Sequence, residues 1–312
     1  MAQPQYPSEA TSVADPDEVV IAFGVDAAYL PHLATAIASV VANAPGARLR
    51  FLIIHDGVPV ADQRKVESCA PGQVFEWPLM TDARALALDR YSHISRAGYY
   101  RLAIPYFAPA SAERVVYLDS DLVVLADIRE LAAVDLGDSM IGAVFDPAVD
   151  GDAFASRMNL PPERLTYFNS GVLVLDVAKL RQTGAFDDAL EFSTKNKLDF
   201  GDQCALNYVL WNRWKRLDPV WNVQRRMVAK EGRHNFSTAA DAQSHRRPKI
   251  IHFTEEIKPW SEGGYHPYIW TYYKYLRRTP YWHEVNARAK NTLMVSARRW
   301  LRTTLALARL AK

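Results

Sequence analysis

The chain has 312 residues, 49% of them hydrophobic, and its 37 basic and 35 acidic side chains leave a formal charge of +2. That length can bury a sizeable core, as one large domain or one domain with an appendage, and the balanced charge excludes a global polyanion-binding surface. Cys69 and Cys204 stand far apart with no CxxC spacing, which excludes a cysteine metal cluster or disulfide framework and makes a reducing compartment the default.

Residues 1–17 are polar, with prolines at 4, 7 and 16 and acidic Glu9, Asp15 and Asp17; they read as a disordered lead without the basic and apolar regions of a signal peptide. No apolar run is long enough to span a bilayer, so the expected location is the cytoplasm, with any membrane contact peripheral. Val19–Phe23 reads as a first buried strand running into Gly24-Val25-Asp26, followed by a helix from about Leu30 to Ala44 that Pro45-Gly46 stops. A second strand, Leu49–Ile54, ends at His55-Asp56-Gly57; a helix over Val60–Cys69 and a strand Val74–Trp77 come next. Short apolar strands alternating with helices predict an α/β domain with a largely parallel sheet, whose ligands sit at the carboxyl ends of the strands. Asp26, Asp56 and Asp119 all fall at such ends.

Ser92–Phe107, with Arg101 among Tyr99, Tyr100, Leu102 and Ile104, predicts a helix leading into the strand Val115–Leu118. That strand ends in Asp119-Ser120-Asp121. In extended backbone the two carboxylates point to one side, and they repel each other unless a cation sits between them. Further strands are expected at Met140–Phe145, ending at Asp146, and at Val172–Leu175, opened by Phe168-Asn169-Ser170-Gly171. Helices follow from Val177 and from Phe200-Gly201-Asp202-Gln203 towards Trp211. The polar, basic stretch Arg225–Lys249 reads as a mobile loop, and Ile250–Phe253 as a last strand bearing His252.

Two carboxylates with an imidazole make an oxygen and nitrogen ligand set that favours Mn²⁺, with Mg²⁺ as the alternative, and leaves positions open for phosphate oxygens. Lys258, six residues past His252, places an ammonium within reach of the same phosphates. Taken singly, each of these residues has a plainer explanation: a turn after a strand, a core histidine, a solvated lysine.

The ordered set resembles the retaining glycosyltransferases of family 8, which include lipopolysaccharide galactosyl- and glucosyltransferases and glycogenin. The motifs that carry the resemblance are Phe23–Asp26, Ser95–Leu102, Tyr117–Asp121, Phe168–Val172, Asp202-Gln203, Trp221-Asn222 and His252 through Lys258-Pro259-Trp260, spanning about Val19 to Trp260. The resemblance implies a GT-A fold over 18–262, a Rossmann-like mixed sheet flanked by helices, with a helical appendage over 263–312. It implies a UDP-sugar donor and a saccharide acceptor, with Asp119, Asp121 and His252 as metal ligands and Lys258 as diphosphate clamp. Asp26 falls where the uracil is read, Gly24 and Tyr29 where base and ribose are lined. Arg101, Asp146, Asn169, Asp202 and Gln203 fall where the family contacts the donor sugar. Three departures stand out: Glu255 in place of the family's usual glycine, Ala28 in place of an asparagine, and Cys204 where some members carry an acid.

With no acid at 204, retention is expected by same-face attack, with Gln203 near the anomeric carbon and Asp202 orienting the sugar; Asp202 also suits a helix cap. Beyond Glu284 the charges are all basic (Arg288, Lys290, Arg298, Arg299, Arg302, Arg309 and Lys312), and Leu293, Ala297, Trp300, Leu301, Leu305 and Ala308 recur at helical spacing. That pattern predicts an amphipathic helix on an anionic membrane surface, fitting a lipid-linked or lipopolysaccharide acceptor at the inner leaflet, and its continuous apolar stripe argues against nucleic acid. Two other readings stay open from the residues alone. One is a phosphatase of the haloacid dehalogenase type, disfavoured by Leu122 and by an Asp pair lying past residue 110. The other is a non-catalytic nucleotide-sugar-binding module.

Overall fold

A computed structural model describes residues 17–88, 95–161, 167–228, 238, 241, 243–262, 264–290, 297–298, 301–302 and 304–305. Among these, ten strands form two sheets: β1 Glu18–Val25, β2 Arg48–His55, β3 Val74–Glu76, β4 Arg114–Leu118, β5 Leu122–Val124, β6 Ile141–Phe145, β7 Phe168–Asp176, β8 Trp214–Arg216, β9 Val223–Gln224 and β10 Ile250–His252. The larger sheet runs β3-β2-β1-β4-β7-β6-β8 and the smaller β5-β10-β9.

β3, β2, β1 and β4 are mutually parallel, as the alternation of strands and helices leads one to expect. β7 is antiparallel to both β4 and β6, so the sheet is mixed. Val115 to Leu118 are all buried, as are Ile141 to Phe145 and Phe168 to Leu175. Central strands covered on both faces need continuous apolar runs. Three short strands, β5, β8 and β9, were not read from the sequence.

The helix Leu30–Asn43 starts with Pro31 in its first turn and ends before Pro45-Gly46, Gly46 taking a φ of +72° that favours glycine. It is buried almost all round because it lies between the sheets and the C-terminal helices. Ser39 Oγ accepts Val124 N at 2.8 Å, Asn43 Nδ2 donates to Val124 O at 2.9 Å and to Tyr275 Oη at 2.8 Å, and His32 Nδ1 meets Tyr272 Oη at 2.7 Å. Helices Ile269–Leu276 and Trp282–Arg288 join the same apolar cluster through Tyr272, Tyr275, Leu276 and Val285.

Other expectations changed on folding. The stretch ahead of β4 is a 3₁₀ helix, Arg96–Ala103, and then a short α-helix, Ile104–Phe107. Pro105 lacks the N–H that a longer α-helix would need at that point. The stretch read as a mobile loop holds a helical turn, Arg225–Val228, with Met227 and Val228 buried, and a buried Asp241 paired with Arg216 at 2.6 Å. Apolar residues in a basic context were the missed signal there. The polar lead and most of the basic tail lie outside the described residues. Within the tail, 297–298, 301–302 and 304–305 are helical, with Leu301 and Leu305 exposed. No helix among the described residues is long and apolar enough to cross a membrane.

Leu276, at the end of the helix Ile269–Leu276, is fully buried in the apolar cluster shared with the helix Leu30–Asn43. Leu276→Ala should destabilise the whole chain by about 2–5 kcal/mol, read as a single shifted thermal transition. Loss of a separate, minor transition would instead mean that the C-terminal helices melt on their own.

Candidate active site

The two carboxylates of Asp119-Ser120-Asp121 stand at the junction of the two sheets. Asp119 N donates to Gly171 O at 2.8 Å, extending the β4–β7 ladder by one bond; Asp121 O accepts Phe253 N at 2.9 Å, beside the β5–β10 pairing. The backbone between them is a turn rather than extended strand. Convergence of the carboxylates therefore follows from one chain segment leaving one sheet and entering the other, a correction to the extended-strand argument.

Antiparallel pairing of β10 with β5 sets His252 opposite Leu122 and so brings its imidazole to this turn. Nε2 lies 3.0 Å from Asp121 Oδ1 and 3.7 Å from Asp119 Oδ2. One donor atom from each of the three side chains lies within 4.8 Å of the other two. Asn222 Nδ2 is committed to Asn169 Oδ1 at 2.9 Å, which fixes the amide so that Asn222 Oδ1 faces His252 Nδ1 at 3.0 Å. In the neutral ring Nδ1–H then donates to Asn222, and the Nε2 lone pair faces carboxylate oxygens. Three electron-rich atoms turned on one point fit a divalent cation, with Asn222 in the orienting position behind the histidine. Gly171 keeps the space open: a Cβ there would lie 2.6 Å from Asp119 Oδ2 and 2.1 Å from His252 Cε1.

Lys258 closes the cluster. Its ammonium is 2.7 Å from Asp121 Oδ2 and donates to Phe253 O at 2.7 Å. Burial on its own would raise the Asp121 carboxyl; Lys258, joined by His252 whenever that ring is protonated, outweighs it and holds the group well below the usual carboxylate range. Arg101 does the corresponding work on the other flank. It reaches Asp119 Oδ1 at 3.1 Å and Asp202 Oδ2 at 2.9 Å, donates to Ser170 O and Oγ and to Gly98 O, and lies over the Tyr117 ring. Tyr117 Oη donates to Asp119 Oδ1 at 2.6 Å. Every nitrogen of Arg101 thus has a protein partner, which makes it a scaffold for the acids around it.

A cavity of about 360 Å³ opens above this cluster and takes in each of the twelve residues to which the family resemblance assigns a metal, donor or sugar contact. Asp26 caps the turn after β1 by accepting from Ala28 N and Tyr29 N, and its other oxygen accepts Ser95 Oγ at 2.5 Å. Ala28 itself is exposed. Gly24 is needed for contact: a Cβ there would lie 2.5 Å from Ala97 O on the 3₁₀ helix. Opposite, Asp146 Oδ2 accepts Asn169 Nδ2 and Gln203 Nε2, each at 3.1 Å, and Gln203 Oε1 accepts Asn169 Nδ2 at 3.1 Å and Ser170 N at 3.0 Å. A continuous line of hydrogen bonds thus joins Asp146, Gln203, Asn169, Asn222 and His252.

Two of the departures are resolved locally. Cys204 is buried in the core with its Sγ 3.1 Å from Tyr167 Oη, turned away from the cavity. Glu255 lines the cavity at its rim, 3.9 Å from Arg225 Nη1. Sequence reasoning gave no role to Tyr117, although the period of two along β4 puts Tyr117 on the same face as Asp119; nor to Asn222, whose work behind His252 depends on pairings between distant strands.

Comparison with known proteins matches residues 20–264 to the model of glycosyl transferase family 8. General stress protein A of Bacillus subtilis (strain 168) is 28% identical over 294 residues, 88% of this chain and 99% of that protein. The lipopolysaccharide 1,2-glucosyltransferase of Escherichia coli (strain K12) is 25% identical over 289 residues, 90% of this chain and 83% of the relative. The structure of the galactosyltransferase LgtC in complex with donor and acceptor sugar analogues superposes with a TM-score of 0.73 at 21% identity, covering 86% of this chain and 99% of LgtC. That likeness identifies the fold as GT-A.

Asp202 gives a signed pH test. Burial, against the opposing pull of Arg101 and with a push from Asp119, raises its carboxyl from 3.8 to about 6. The Arg101 Nε–H points at Gly98 O, so Asp202 Oδ2 accepts no hydrogen bond among the described residues. A raised carboxyl favours the neutral form in the folded chain. Its contribution is full below pH 3.8 and is lost as pH rises through about 6. In metal-free buffer, Asp202→Asn should therefore gain on the wild type by about 3 kcal/mol between pH 4 and 7, measured as the difference in melting temperature. A difference that shrinks over that range would mean Arg101 dominates. Gly171→Ala should push the His252 ring and the Asp119 carboxylate apart and so lower any divalent-cation affinity at least about tenfold, measured by calorimetric titration with Mn²⁺ and with Mg²⁺.

Proposed function

This chain belongs to glycosyl transferase family 8 and is a glycosyltransferase, and from that premise we propose that it moves a hexose, glucose or galactose, from a UDP-sugar to a saccharide acceptor with retention at the anomeric carbon. The observation that carries the proposal is the convergence of Asp119, Asp121 and His252, with Lys258 beside them, on the cavity that Asp26, Asn169 and Gln203 also line.

The layout supports a nucleotide-sugar donor. Asp26 and Tyr29, at the end of β1, form the end of the cavity suited to a base and ribose. The cation-binding cluster lies at the middle, where a diphosphate would be held. Asp146, Asn169, Asp202 and Gln203 line the far wall, where buried amides and carboxylates suit sugar hydroxyls. Asp119, Asp121 and His252 would hold Mn²⁺, with Mg²⁺ as the alternative; when bound, the ion supplies Lewis-acid stabilisation of charge on the departing nucleoside diphosphate. Lys258 adds a positive charge on the same side. Asn169 holds Gln203 and Asp146 in place, so the wall against the anomeric carbon is fixed before the donor arrives.

Same-face attack by the acceptor accounts best for retention. Of the positions that would supply a protein nucleophile, Cys204 faces the core and Asp202 is already paired with Arg101 at 2.9 Å. Gln203 is buried, and both ends of its amide are hydrogen-bonded, so its role is to orient the reacting centre.

The lipopolysaccharide 1,2-glucosyltransferase among the relatives supports a surface glycan as acceptor. The exposed Leu301 and Leu305 beside the helical Arg298 and Arg302 support a peripheral anionic-membrane contact near such an acceptor. Incubation with Mn²⁺ and UDP-glucose, UDP-galactose or p-nitrophenyl phosphate tests the reading. One of the UDP-sugars should be turned over and the phosphate ester should not. Asp119→Asn should reduce turnover by about 100-fold or more. Full activity in that variant, or phosphatase activity in the wild type, would overturn the proposal.

A further inference from the structure

Lys258 is fixed at its backbone, and only its side chain can change partners. Trp260 stacks on His32 with ring centroids 3.7 Å apart, and Tyr273 Oη donates to Pro259 O at 3.1 Å. Lys258 O accepts Ser261 N at 3.0 Å and packs so tightly on Gly264 that a Cβ there would lie 2.0 Å from it. These contacts prevent the loop from shifting as a unit without unstacking Trp260. The ammonium, by contrast, sits on a four-carbon stem whose end borders the cavity, and its present partners are Asp121 Oδ2 and Phe253 O.

Asp121 is thus a proposed ligand whose charge is already matched from within the chain. We infer that Lys258 is the resident counter-ion of Asp121, and that its ammonium passes from this carboxylate to the donor's diphosphate as cation and nucleotide bind, so that each strengthens the binding of the other. The inference rests on the metal-site reading above. A divalent cation binding alone must either share Asp121 with the ammonium, in a buried setting where like charges repel strongly, or displace it from the carboxylate and carbonyl that now hold it. With a diphosphate in the cavity, the displaced ammonium regains an anion and the repulsion is relieved. The coupling is reciprocal by linkage.

Titration of the full chain with Mn²⁺, with the free ion followed by its electron paramagnetic resonance signal, tests the inference with and without UDP. The wild type should bind Mn²⁺ at least about tenfold more tightly when UDP is present. Lys258→Met should bind Mn²⁺ alone roughly tenfold more tightly than the wild type and lose most of the enhancement by UDP. Lys258→Arg, which keeps the charge, should behave like the wild type. Should Lys258→Met fail to fold, Lys258→Gln, whose amide can still donate to Phe253 O, carries the same expectation. Asp119→Asn, run in parallel, should lose Mn²⁺ binding in both conditions. If it does and the neutral Lys258 variants bind Mn²⁺ no more tightly than the wild type, the counter-ion inference fails and the metal site stands. If Asp119→Asn binds as well as the wild type, the metal site is wrong and the inference falls with it.

Discussion

Asp119 and Asp121 are held together by the architecture, at a junction where the chain passes from one sheet to the other, and most of the cavity wall is arranged around their charge. Arg101 restrains Asp119, Lys258 and His252 restrain Asp121, and Gly171 leaves the space between them empty of side chain. Carboxylates converging in a half-buried site repel each other by several kcal/mol at effective dielectric constants of about 20. The fold offsets that with buried, hydrogen-bonded cations on both flanks.

The C-terminal helices matter to this site although none of their side chains enters it. Tyr272 and Tyr273 help to hold His32, Trp260 and Pro259, and through them the loop that carries Lys258. Burial drives the His32 ring down to about 3, so at neutral pH it is an uncharged stacking partner for Trp260 rather than a second cation near Lys258. Packing outside the cavity thereby fixes where the ammonium starts from.

Much of this was legible in the residues. Continuous apolar runs marked the central strands, and Pro45-Gly46 marked the end of the first long helix. The ordered motifs from Phe23–Asp26 to Trp260 named the family and the cavity-lining residues, and the family and the GT-A fold now stand on the comparisons. What the residues could not give was long-range pairing. The antiparallel register that sets His252 beside Leu122, the support of Asn222 behind His252, and the burial of Cys204 against Tyr167 depend on contacts between segments tens of residues apart. The strands β5, β8 and β9 were likewise not read from the sequence. The charge-pair geometry was half legible, since the i, i+2 spacing was correct but the backbone that realises it is a turn.

The hydrogen-bonded line from Asp146 through Gln203, Asn169 and Asn222 to His252 restricts how this scaffold can diversify. A substitution at Asn169 or Gln203 that reshapes this wall of the cavity also disturbs the residues that orient the His252 imidazole, so a change there carries over to the Asp119, Asp121 and His252 cluster. Ala148, Phe200 and Arg226 border the same cavity outside that line. Drift towards new sugars or acceptors therefore has its open routes at those rim positions, and a library meant to retarget the enzyme should be concentrated there.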